Sequence, residues 1–454
     1  MTSRPFRLCL WRVFVLGALF AATAAMAPAA EFHFDFSPSG EVPAGFTRVT
    51  PQTAYDAQRG FGFLPPGTAP AQPGAEEKPA APNASSPAIF AVAIGEGNYD
   101  VTMRFGDPQS ATSTTIKAES RRLMIERVET APGKFETRTF TVNVRQPAIR
   151  AGDFSGRGGS VMLKPRELGP PVVADWDERL TFEFNGAHPG VASLEIRPAA
   201  NALTIFIAGD STVTDQAQEP YAGWGQMLPR FFQPGVAVSN QAESGLALSS
   251  FESQKRLEKI LSLMKAGDYF FIQFGHNDQK EKGPGAGPFT TYKARLKKFV
   301  QAARHRGALP VLVTPMERRR WEAGQPQPTL ADYAEAVRQV GTEEKAPVID
   351  LNAMSLKFYT ALGPEKSTQA FAFYPAKTFP GQDQPLQDNT HHNAYGAYEL
   401  ARCIVEGIKT QVPDLASRLA PDTSPFDPTK PDAPETVALP ASPLTGPPEK
   451  PAGS

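Results

Sequence analysis

The sequence predicts an α/β protein in which an all-β sandwich precedes a region built on a parallel sheet. Short runs of alternating apolar and polar residues, separated by polar or glycine-rich turns, indicate the sandwich. Strand-like runs that alternate with single helical stretches indicate right-handed crossovers and hence the parallel sheet. Shifts in composition divide the chain into a signal peptide (1–30), a β-sandwich domain (31–198), an α/β domain (199–420) and a proline-rich tail (421–454).

The first 30 residues have the pattern of a secretory signal. Arg4, Arg7 and Arg12 precede the apolar run Val13–Ala27, and small residues follow as far as Ala30. This order predicts cleavage after Ala30 and a mature protein that is secreted or periplasmic. The alternative is an uncleaved anchor, but the apolar run is shorter than the ~20 residues that span a bilayer. We therefore expect no membrane association once the signal is removed.

The charge balance and the cysteines narrow the classes of partner and of chemistry. The chain carries 46 Lys and Arg against 47 Asp and Glu, which argues against binding to nucleic acid or to an anionic surface. Cys9 lies in the predicted signal, so Cys403 is alone in the mature chain and no intramolecular disulfide can form. Its helical context favours a small packed side chain over a nucleophile.

Alternation is the main signal in residues 31–198. Phe32, Phe34 and Phe36 alternate with polar residues at the start of this region. Further strand-like runs are 99–105, 122–126, 139–144, 180–184 and 192–196. The Pro/Ala-rich stretch 65–87 interrupts these runs and is typical of a long surface loop.

From residue 199 onward, predicted strands alternate with predicted helices. The predicted strands are 203–208, 236–240, 268–274, 310–313 and 348–351. Tyr292, Leu296, Phe299 and Ala303 recur at helical spacing, and Gly307 follows as a helix end. After residue 420 the chain is rich in proline and poor in apolar residues, which predicts a disordered tail. We therefore expect truncation at residue 421 to leave activity on a soluble ester unchanged.

A strand that stops at Gly209-Asp210-Ser211 marks a candidate reaction centre. A serine at the carboxyl end of a strand in an open α/β sheet stands where such folds place their chemistry. A nucleophilic serine needs a base and a group that orients the base, and Asp388-x-x-His391 offers both. His391 is the predicted base and Asp388 its partner, while His392 competes with His391 for that role. The alternatives are a turn serine at Ser211 and a turn residue at Asp388.

A serine nucleophile also needs donors for the negative charge that develops on the attacked carbonyl oxygen. Three are predicted: the backbone N–H of Ser211, the backbone of Gly245 and the side-chain amide of Asn277. The alternatives are a plain turn at Gly245 and a loop residue at Asn277. The alternatives for His276 are a second base and a metal ligand, but no other His or Cys lies at ligand spacing, and a packed histidine that shapes the Asn277 loop is favoured. Asp210 is expected to hold the turn that carries the nucleophile.

Together these blocks resemble the SGNH, or GDSL-like, hydrolases. The matching blocks, in the family's order, are Gly209-Asp210-Ser211-Thr212, Gly245, Gly275-His276-Asn277-Asp278 and Asp388-x-x-His391. The resemblance spans residues 203–408 and implies a flavodoxin-like three-layer α/β/α fold. It also implies hydrolysis of esters by a serine nucleophile, with no cofactor needed.

Within that superfamily the chain looks most similar to the rhamnogalacturonan acetylesterases. The additional stretches that carry this similarity are Gly223-Trp224-Gly225 and the run VLVTP at 311–315. The β region resembles the galactose-binding-like sandwich that precedes some bacterial members. Many members have an arginine after the glycine of the second block, whereas Leu246 follows Gly245 here, which leaves the exact sugar open.

The sequence therefore predicts an exported serine esterase that removes O-acetyl groups from plant cell-wall polysaccharide, with pectic rhamnogalacturonan favoured. The expected partner is an acetylated polysaccharide or oligosaccharide. Alternatives are an esterase acting on another acetylated glycan such as xylan, a lipase or thioesterase, and a non-catalytic glycan-binding protein. Polar loops at 283–288 and 381–385 argue against a lipid substrate, and the intact catalytic set argues against a non-catalytic protein. The aromatic residues considered for stacking on sugar rings are Tyr221, Trp224, Phe289 and Trp321.

Overall fold

The computed structural model describes residues 31–64, 88–152, 158–168, 175–437, 439–442 and 447–453. The predicted signal (1–30) and the predicted surface loop (65–87) lie outside the described residues. Among the described helices, none is both long and apolar enough to cross a lipid bilayer.

The first half of the described chain forms two five-stranded sheets. Its strands are β1 (Phe32–Asp35), β2 (Thr47–Arg48), β3 (Phe61–Leu64), β4 (Ala88–Ala93), β5 (Gly97–Phe105), β6 (Thr112–Ala118), β7 (Arg122–Thr130), β8 (Glu136–Val144), β9 (Ala148–Ile149), β10 (Gly159–Ser160), β11 (Arg179–His188) and β12 (Val191–Pro198). The sheet orders are β2-β1-β12-β5-β8 and β3-β4-β11-β6-β7, and the pairings are antiparallel except for β1 with β2. Both sheets contribute to one apolar core that includes Phe34, Phe90 and Phe182. The prediction of an all-β region is confirmed.

The second half is built on a five-stranded parallel sheet of order β14-β13-β15-β16-β19 in the described residues. The strands of the parallel sheet are β13 (Leu203–Gly209), β14 (Val236–Asn240), β15 (Tyr269–Gln273), β16 (Leu309–Val313) and β19 (Val348–Ile349). The second half also contains β17 (Trp321–Glu322), β18 (Gln325–Pro326), β20 (Phe371–Tyr374) and β21 (Leu386–His392). Strands β17 and β18 form one small antiparallel hairpin, and β20 and β21 form another.

Helices cover both faces of the parallel sheet. They are α1 (Trp224–Met227), α2 (Leu248–Ser253), α3 (Arg256–Leu263), α4 (Lys293–His305), α5 (Ala331–Glu344), α6 (Leu351–Lys366), α7 (Ala394–Gln411) and α8 (Pro413–Ala416). Successive residues of β13 point to opposite faces, so Ile205 packs in the core that contains α7 and Phe206 in the core that contains α4. The three-layer architecture and the flavodoxin-like strand order are confirmed.

A buried ionic cluster joins the β region to the α/β half of the chain. Arg122 Nε donates to Asp215 Oδ2 at 2.7 Å, and Arg122 Nη2 lies 3.2 Å from Asp175 Oδ1. Arg145 Nη2 lies 3.2 Å from Asp175 Oδ2, and all four side chains are buried. Asp215 is four residues after Ser211, so this cluster fixes the β region beside the turn that carries the candidate nucleophile.

The structure corrects the prediction of a disordered tail. Phe426 is buried in the core around α7, and the Arg402 guanidinium lies 4.3 Å from its ring centre. Further along, Tyr395 Oη donates to the backbone oxygen of Asp432 at 2.7 Å, and the N–H of Ser442 donates to Glu219 Oε1 at 3.1 Å. The composition suggested disorder because this segment cannot form a core of its own, but it packs on a core that the rest of the chain provides.

Candidate active site

Ser211 lies in a tight turn at the carboxyl end of β13. Asp210 Oδ1 stabilises this turn by accepting from the N–H of Thr212 at 3.0 Å and from its hydroxyl at 2.7 Å. Gly209 is required there, because a Cβ at this position would lie 2.6 Å from the Val213 side chain. The turn therefore places Ser211 at the carboxyl ends of the strands, beside the point where the strand order reverses. This is the usual place for ligands in such sheets.

His391 and Asp388 complete a Ser-His-Asp arrangement with Ser211. The Nε2 atom of His391 lies 2.8 Å from Ser211 Oγ, and its Nδ1 lies 2.8 Å from Asp388 Oδ2. An ionised carboxylate only accepts hydrogen bonds, so Nδ1 carries the proton and Nε2 is free to accept from the serine hydroxyl. Both residues lie on β21 (Leu386–His392), and α7 begins at Ala394, two residues after this strand ends.

The Asp388 carboxylate is stabilised in its charged form. Its Oδ1 accepts from the backbone N–H of Thr390 at 2.8 Å and of His391 at 3.0 Å. Burial by itself raises the pKa of Asp388, but the His391 contact and these two N–H groups outweigh it and lower the pKa to about 2. Asp388 is therefore negatively charged throughout the neutral range and can stabilise a protonated His391.

Gly245 and Asn277 follow β14 and β15, the two strands that flank β13 in the sheet. Gly245 has a φ of +78°, a left-handed conformation that favours glycine. One Nδ2 hydrogen of Asn277 is used in a bond to the carbonyl oxygen of Leu246 at 3.0 Å. This bond ties the two loops together, and the second hydrogen of the amide is left to serve a ligand.

Two further polar groups shape the Asn277 loop from within. The Nδ1 atom of the buried His276 lies 3.3 Å from Asp210 Oδ2, and burial lowers the pKa of His276 despite that carboxylate. Asp278 Oδ1 accepts from the N–H of Leu248 at 3.0 Å, and burial raises the pKa of Asp278 to about 7. His276 thus contacts the turn that carries the nucleophile, as a packed residue would.

The competing histidine lies away from the nucleophile. His392 Nε2 is 2.9 Å from the hydroxyl of Tyr359, and the ring centre of His392 is 4.2 Å from that of Phe371. Burial, with the neighbouring His391 and His276, lowers the pKa of His392 to about 3. The structure thus brings His391, and not His392, to Ser211.

The aromatic residues considered for sugar stacking differ in their positions. Trp224 is fully buried and donates from Nε1 to Gln273 Oε1 at 2.7 Å, so it is a core residue and not a sugar platform. Tyr221 is also buried, with its ring edge-to-face on His391 at a centroid distance of 6.0 Å. Phe289 is exposed and Trp321 is half-buried. Of the four, Phe289 and Trp321 retain surface that a glycan can contact.

Several residues at the site carry no recognisable sequence signal. Gln216 Nε2 donates to the backbone oxygen of Ser211 at 2.6 Å, and Gln273 Nε2 donates to Thr212 Oγ1 at 2.9 Å. Lys164 comes from the β region and donates from Nζ to the backbone oxygen of Ser244. Isolated glutamines and a lysine have no spacing that sequence reasoning can use, so only the fold brings them to the site.

The C-terminal segment also reaches the site. Lys450 Nζ lies 3.9 Å from Asp388 Oδ2, and Lys280 Nζ donates to the backbone oxygen of Gly453. A Cβ on Gly245 would lie 3.0 Å from the Cβ of Ala452. Residues 450–453 therefore lie beside the carboxylate and the loops of the site.

Two other features of the described residues concern metal-ligating side chains and the free thiol. In the part of the chain that the structure describes, no group of three or more His, Cys, Asp or Glu side chains is placed to hold a metal ion. Cys403 is buried in α7, and burial raises the pKa of its thiol. A buried neutral thiol is a poor nucleophile, which agrees with the interpretation of Cys403 as a packed side chain.

Comparisons with known proteins cover both halves of the chain. Residues 207–397 match the GDSL-like lipase/acylhydrolase family. The rhamnogalacturonan acetylesterase RhgT of Bacillus subtilis is 41% identical over 210 residues, which are 46% of this chain and 90% of that protein. The rhamnogalacturonan acetylesterase of Emericella nidulans is 28% identical over 48% of this chain and 89% of that protein.

One similar protein extends into the β region. YxiM of Bacillus subtilis, an uncharacterised esterase, is 27% identical over 393 residues, which are 84% of this chain and 91% of that protein. The crystal structure of YxiM aligns with a TM-score of 0.42 at 24% identity and covers 84% of this chain and 98% of that one. This chain is 41% identical to RhgT over 90% of the length of RhgT, and its residues 207–397 match the family model. The chain therefore belongs to the GDSL-like lipase/acylhydrolase family of carboxylic ester hydrolases.

Proposed function

We propose that the protein is an exported acetylesterase that removes O-acetyl groups from pectic rhamnogalacturonan. The observation that carries the proposal is the contact of Ser211 Oγ with His391 Nε2 at 2.8 Å, with Asp388 behind the imidazole. The substrate is supported by the similarity to RhgT and to the Emericella nidulans enzyme, both rhamnogalacturonan acetylesterases.

The geometry supports a two-step acyl transfer. His391 Nε2 takes the proton of Ser211 as Oγ attacks the acetyl carbonyl, and Asp388 stabilises the resulting imidazolium. The tetrahedral oxyanion accepts hydrogen bonds from the backbone N–H groups of Ser211 and Gly245 and from the Asn277 amide. His391 then gives this proton to the departing sugar alkoxide, which leaves as a hydroxyl. Water, activated by the same imidazole, hydrolyses the acetyl-serine and releases acetate.

Acetate release from polymers tests this proposal. We expect the purified mature protein to release acetate from acetylated rhamnogalacturonan faster than from acetylxylan, and Ser211→Ala to abolish both. Ser253→Ala, an exposed serine on α2, is the matched control and is expected to behave as the wild type. Activity retained in Ser211→Ala would refute the mechanism. Cleavage of a small aryl acetate without release from the pectic polymer would keep the mechanism and refute the substrate.

Export and the four-segment organisation are part of the proposal. A cleaved signal is supported by the basic residues Arg4, Arg7 and Arg12, which precede an apolar run. The predicted boundary between the β-sandwich domain and the α/β domain, at residues 198 and 199, lies between β12 and β13. We expect the exported protein to begin at Glu31, which sequencing of its N-terminus will test. A protein that retains residues 1–30 after export would refute the cleavage site.

A further inference from the structure

A lysine from the β region contacts the loop that carries Gly245. Lys164 lies between β10 and β11, and its Nζ donates to the backbone oxygen of Ser244. The same Nζ is 3.4 Å from the position that a Cβ on Gly245 would take. Two residues on, Arg166 forms an ion pair with Glu243. Two cations of the β region therefore hold residues 243–245.

The contact with Ser244 acts on the peptide unit that supplies a proposed oxyanion donor. The C=O of Ser244 and the N–H of Gly245 belong to one planar peptide group. A charge-assisted hydrogen bond to that carbonyl polarises the group, and hydrogen bonds in such a chain strengthen one another. Lys164 bound to Ser244 thus fixes the direction of the Gly245 N–H and makes it a stronger donor.

The segment around Lys164 is itself held rigidly. The N–H of Lys164 donates to Glu167 Oε2 at 2.8 Å, and Arg256 Nη2 donates to the same oxygen at 2.5 Å. Trp176 Nε1 donates to Glu167 Oε1 at 3.1 Å. The carboxylate of Glu167 therefore links Lys164 to α3 of the catalytic half and holds the lysine in place.

We propose that Lys164 is a positioning residue for the oxyanion hole, through which the β region takes part in ester hydrolysis. This inference rests on the proposed function of the site, because it assigns Lys164 a role in that reaction. It also gives the β region a role beyond packing.

The charges around Lys164 predict how this role depends on pH. Burial lowers the pKa of Lys164 to about 8, the charges of Arg166 and Arg256 lower it too, and Glu167 opposes them. Other charged groups on the packed elements are Glu243, which pairs with Arg166, and Glu449 of the C-terminal segment, which interacts with Arg166. Lys164 is charged below that pKa, so its help to Gly245 is lost as pH rises through about 8.

The test compares Lys164→Met and Lys164→Arg by the pH dependence of kcat on a small aryl acetate. Removing a whole oxyanion donor costs ~10²–10³ in kcat. Lys164→Met keeps the Gly245 N–H, so we expect a smaller loss, on the order of tenfold, at pH 7. Lys164→Arg keeps the charge and is expected to retain activity to higher pH than the wild type. Lys134→Met, an exposed lysine of the β region, is the control.

The outcomes separate positioning from simple structural support. A Lys164→Met enzyme with the wild-type kcat and pH profile would overturn the inference. So would an equal loss at every pH in Lys164→Met and Lys164→Arg, together with a lower Tm, because it would show only a packing role. Aryl acetate activity that persists in Ser211→Ala would instead refute the proposed function.

A separate observation concerns the C-terminal segment, residues 447–453, which lies on the site. A Cβ on Gly453 would lie 2.4 Å from Asn277 Oδ1, and a Cβ on Gly381 would lie 3.3 Å from Pro447. With Lys450 near Asp388 and Ala452 against Gly245, the segment crosses the loops that would receive the acetyl group. Ser211 and His391 are each only 1% exposed.

The chain is anchored before it reaches the site. Lys117 Nζ donates to the backbone oxygen of Pro440 at 2.7 Å and to Ser442 Oγ at 2.9 Å, and Arg121 Nε donates to the same hydroxyl at 3.3 Å. Residue 447 follows only five positions later. A tethered segment of this kind has an effective concentration of the order of millimolar at its own site.

We infer that residues 447–453 compete with the substrate for the cleft, so that the chain limits its own activity until a glycan displaces the segment. This inference concerns regulation of the proposed esterase site and rests on that proposed function. It also replaces the expectation that removal of the tail leaves activity unchanged.

Truncation before residue 447 tests the competition. When a site is free in ~10% of the molecules, its apparent affinity is reduced about tenfold, so we expect truncation to lower KM for the acetylated polymer by about this factor. Gly453→Val is expected to act in the same direction, because its side chain would clash with Asn277. Lys430→Ala, an exposed tail residue, is the control and is expected to leave KM unchanged.

A peptide of residues 447–454 provides a readout that is independent of catalysis. We expect it to inhibit the truncated enzyme competitively and to bind truncated Ser211→Ala in calorimetry, while a scrambled peptide does neither. Unchanged KM after truncation, or absence of peptide binding, would overturn the inference. Peptide binding to a protein without any esterase activity would refute the proposed function and keep the binding site.

Discussion

Replacing Asp388 with asparagine gives the most specific test of the proposed mechanism. The carboxylate accepts three hydrogen bonds, two at Oδ1 from the backbone and one at Oδ2 from His391 Nδ1. Asparagine keeps the Oδ1 acceptor, so β21 retains its local backbone geometry. Its amide nitrogen, however, donates toward Nδ1 and forces the histidine proton to Nε2, where it faces Ser211 Oγ.

The wrong tautomer removes the base while the site keeps its shape. In other Ser-His-Asp enzymes this change lowers kcat by ~10⁴, which at 1.36 kcal/mol per decade is about 5.4 kcal/mol of barrier. We expect a loss of this size in Asp388→Asn on a small aryl acetate, with KM and Tm little changed. Burst and steady-state kinetics with that ester provide the measurement.

A matched control isolates the effect of the buried carboxylate. Asp383→Asn makes the same change on an exposed residue of the loop before β21 and is expected to be neutral. A loss of less than tenfold in Asp388→Asn would show that Asp388 does not set the tautomer. A large fall in Tm would show that the hydrogen bonds to β21 had been lost as well.

Three further substitutions test the site and its support. Asn277→Ala removes an oxyanion donor and is expected to lower kcat by ~10²–10³, whereas an unchanged rate on aryl acetate would make Asn277 a loop residue. Arg122→Met leaves Asp215 and Asp175 buried without the Arg122 guanidinium. We expect it to lower the free energy of unfolding, measured with urea, by about 3–5 kcal/mol. Gly209→Ala places a Cβ 2.6 Å from the Val213 side chain, so we expect it to lower the free energy of unfolding by about 1–3 kcal/mol and to lower kcat. A free energy of unfolding equal to that of the wild type would contradict this prediction.

The central sheet was predictable because its signals are local. Predicted strands at 203–208 and 236–240 correspond to β13 (Leu203–Gly209) and β14 (Val236–Asn240), and the runs that follow agree to within two residues. Each strand is a short apolar run closed by a turn residue, so neighbouring positions suffice to identify it. The same holds for Ser211, because the nine consecutive residues 204–212 contain both the strand and the turn that identify it.

Contacts between distant parts of the chain were not predictable in this way. Lys164 is 80 residues from Ser244, and Arg122 is 93 residues from Asp215. A single lysine or arginine has no period or spacing that marks its partner. The segment after residue 420 was misjudged for the same reason, since contacts that hold it reach distant residues such as Lys117 of the β region and Tyr395 of α7.

Two of these long-range contacts meet at Gly245, and we expect them to affect the reaction in different ways. Lys164 reaches its loop from the β region, and Ala452 packs on it from the C-terminal segment. Lys164 acts through the strength of a donor to the transition state, so its loss lowers kcat. The C-terminal segment acts by occupying the cleft, so its loss lowers KM and leaves the donor intact. The match to the GDSL-like family spans residues 207–397 and includes Ser211, Asp388 and His391, whereas Lys164 and Ala452, through which the two proposed effects act, lie outside it.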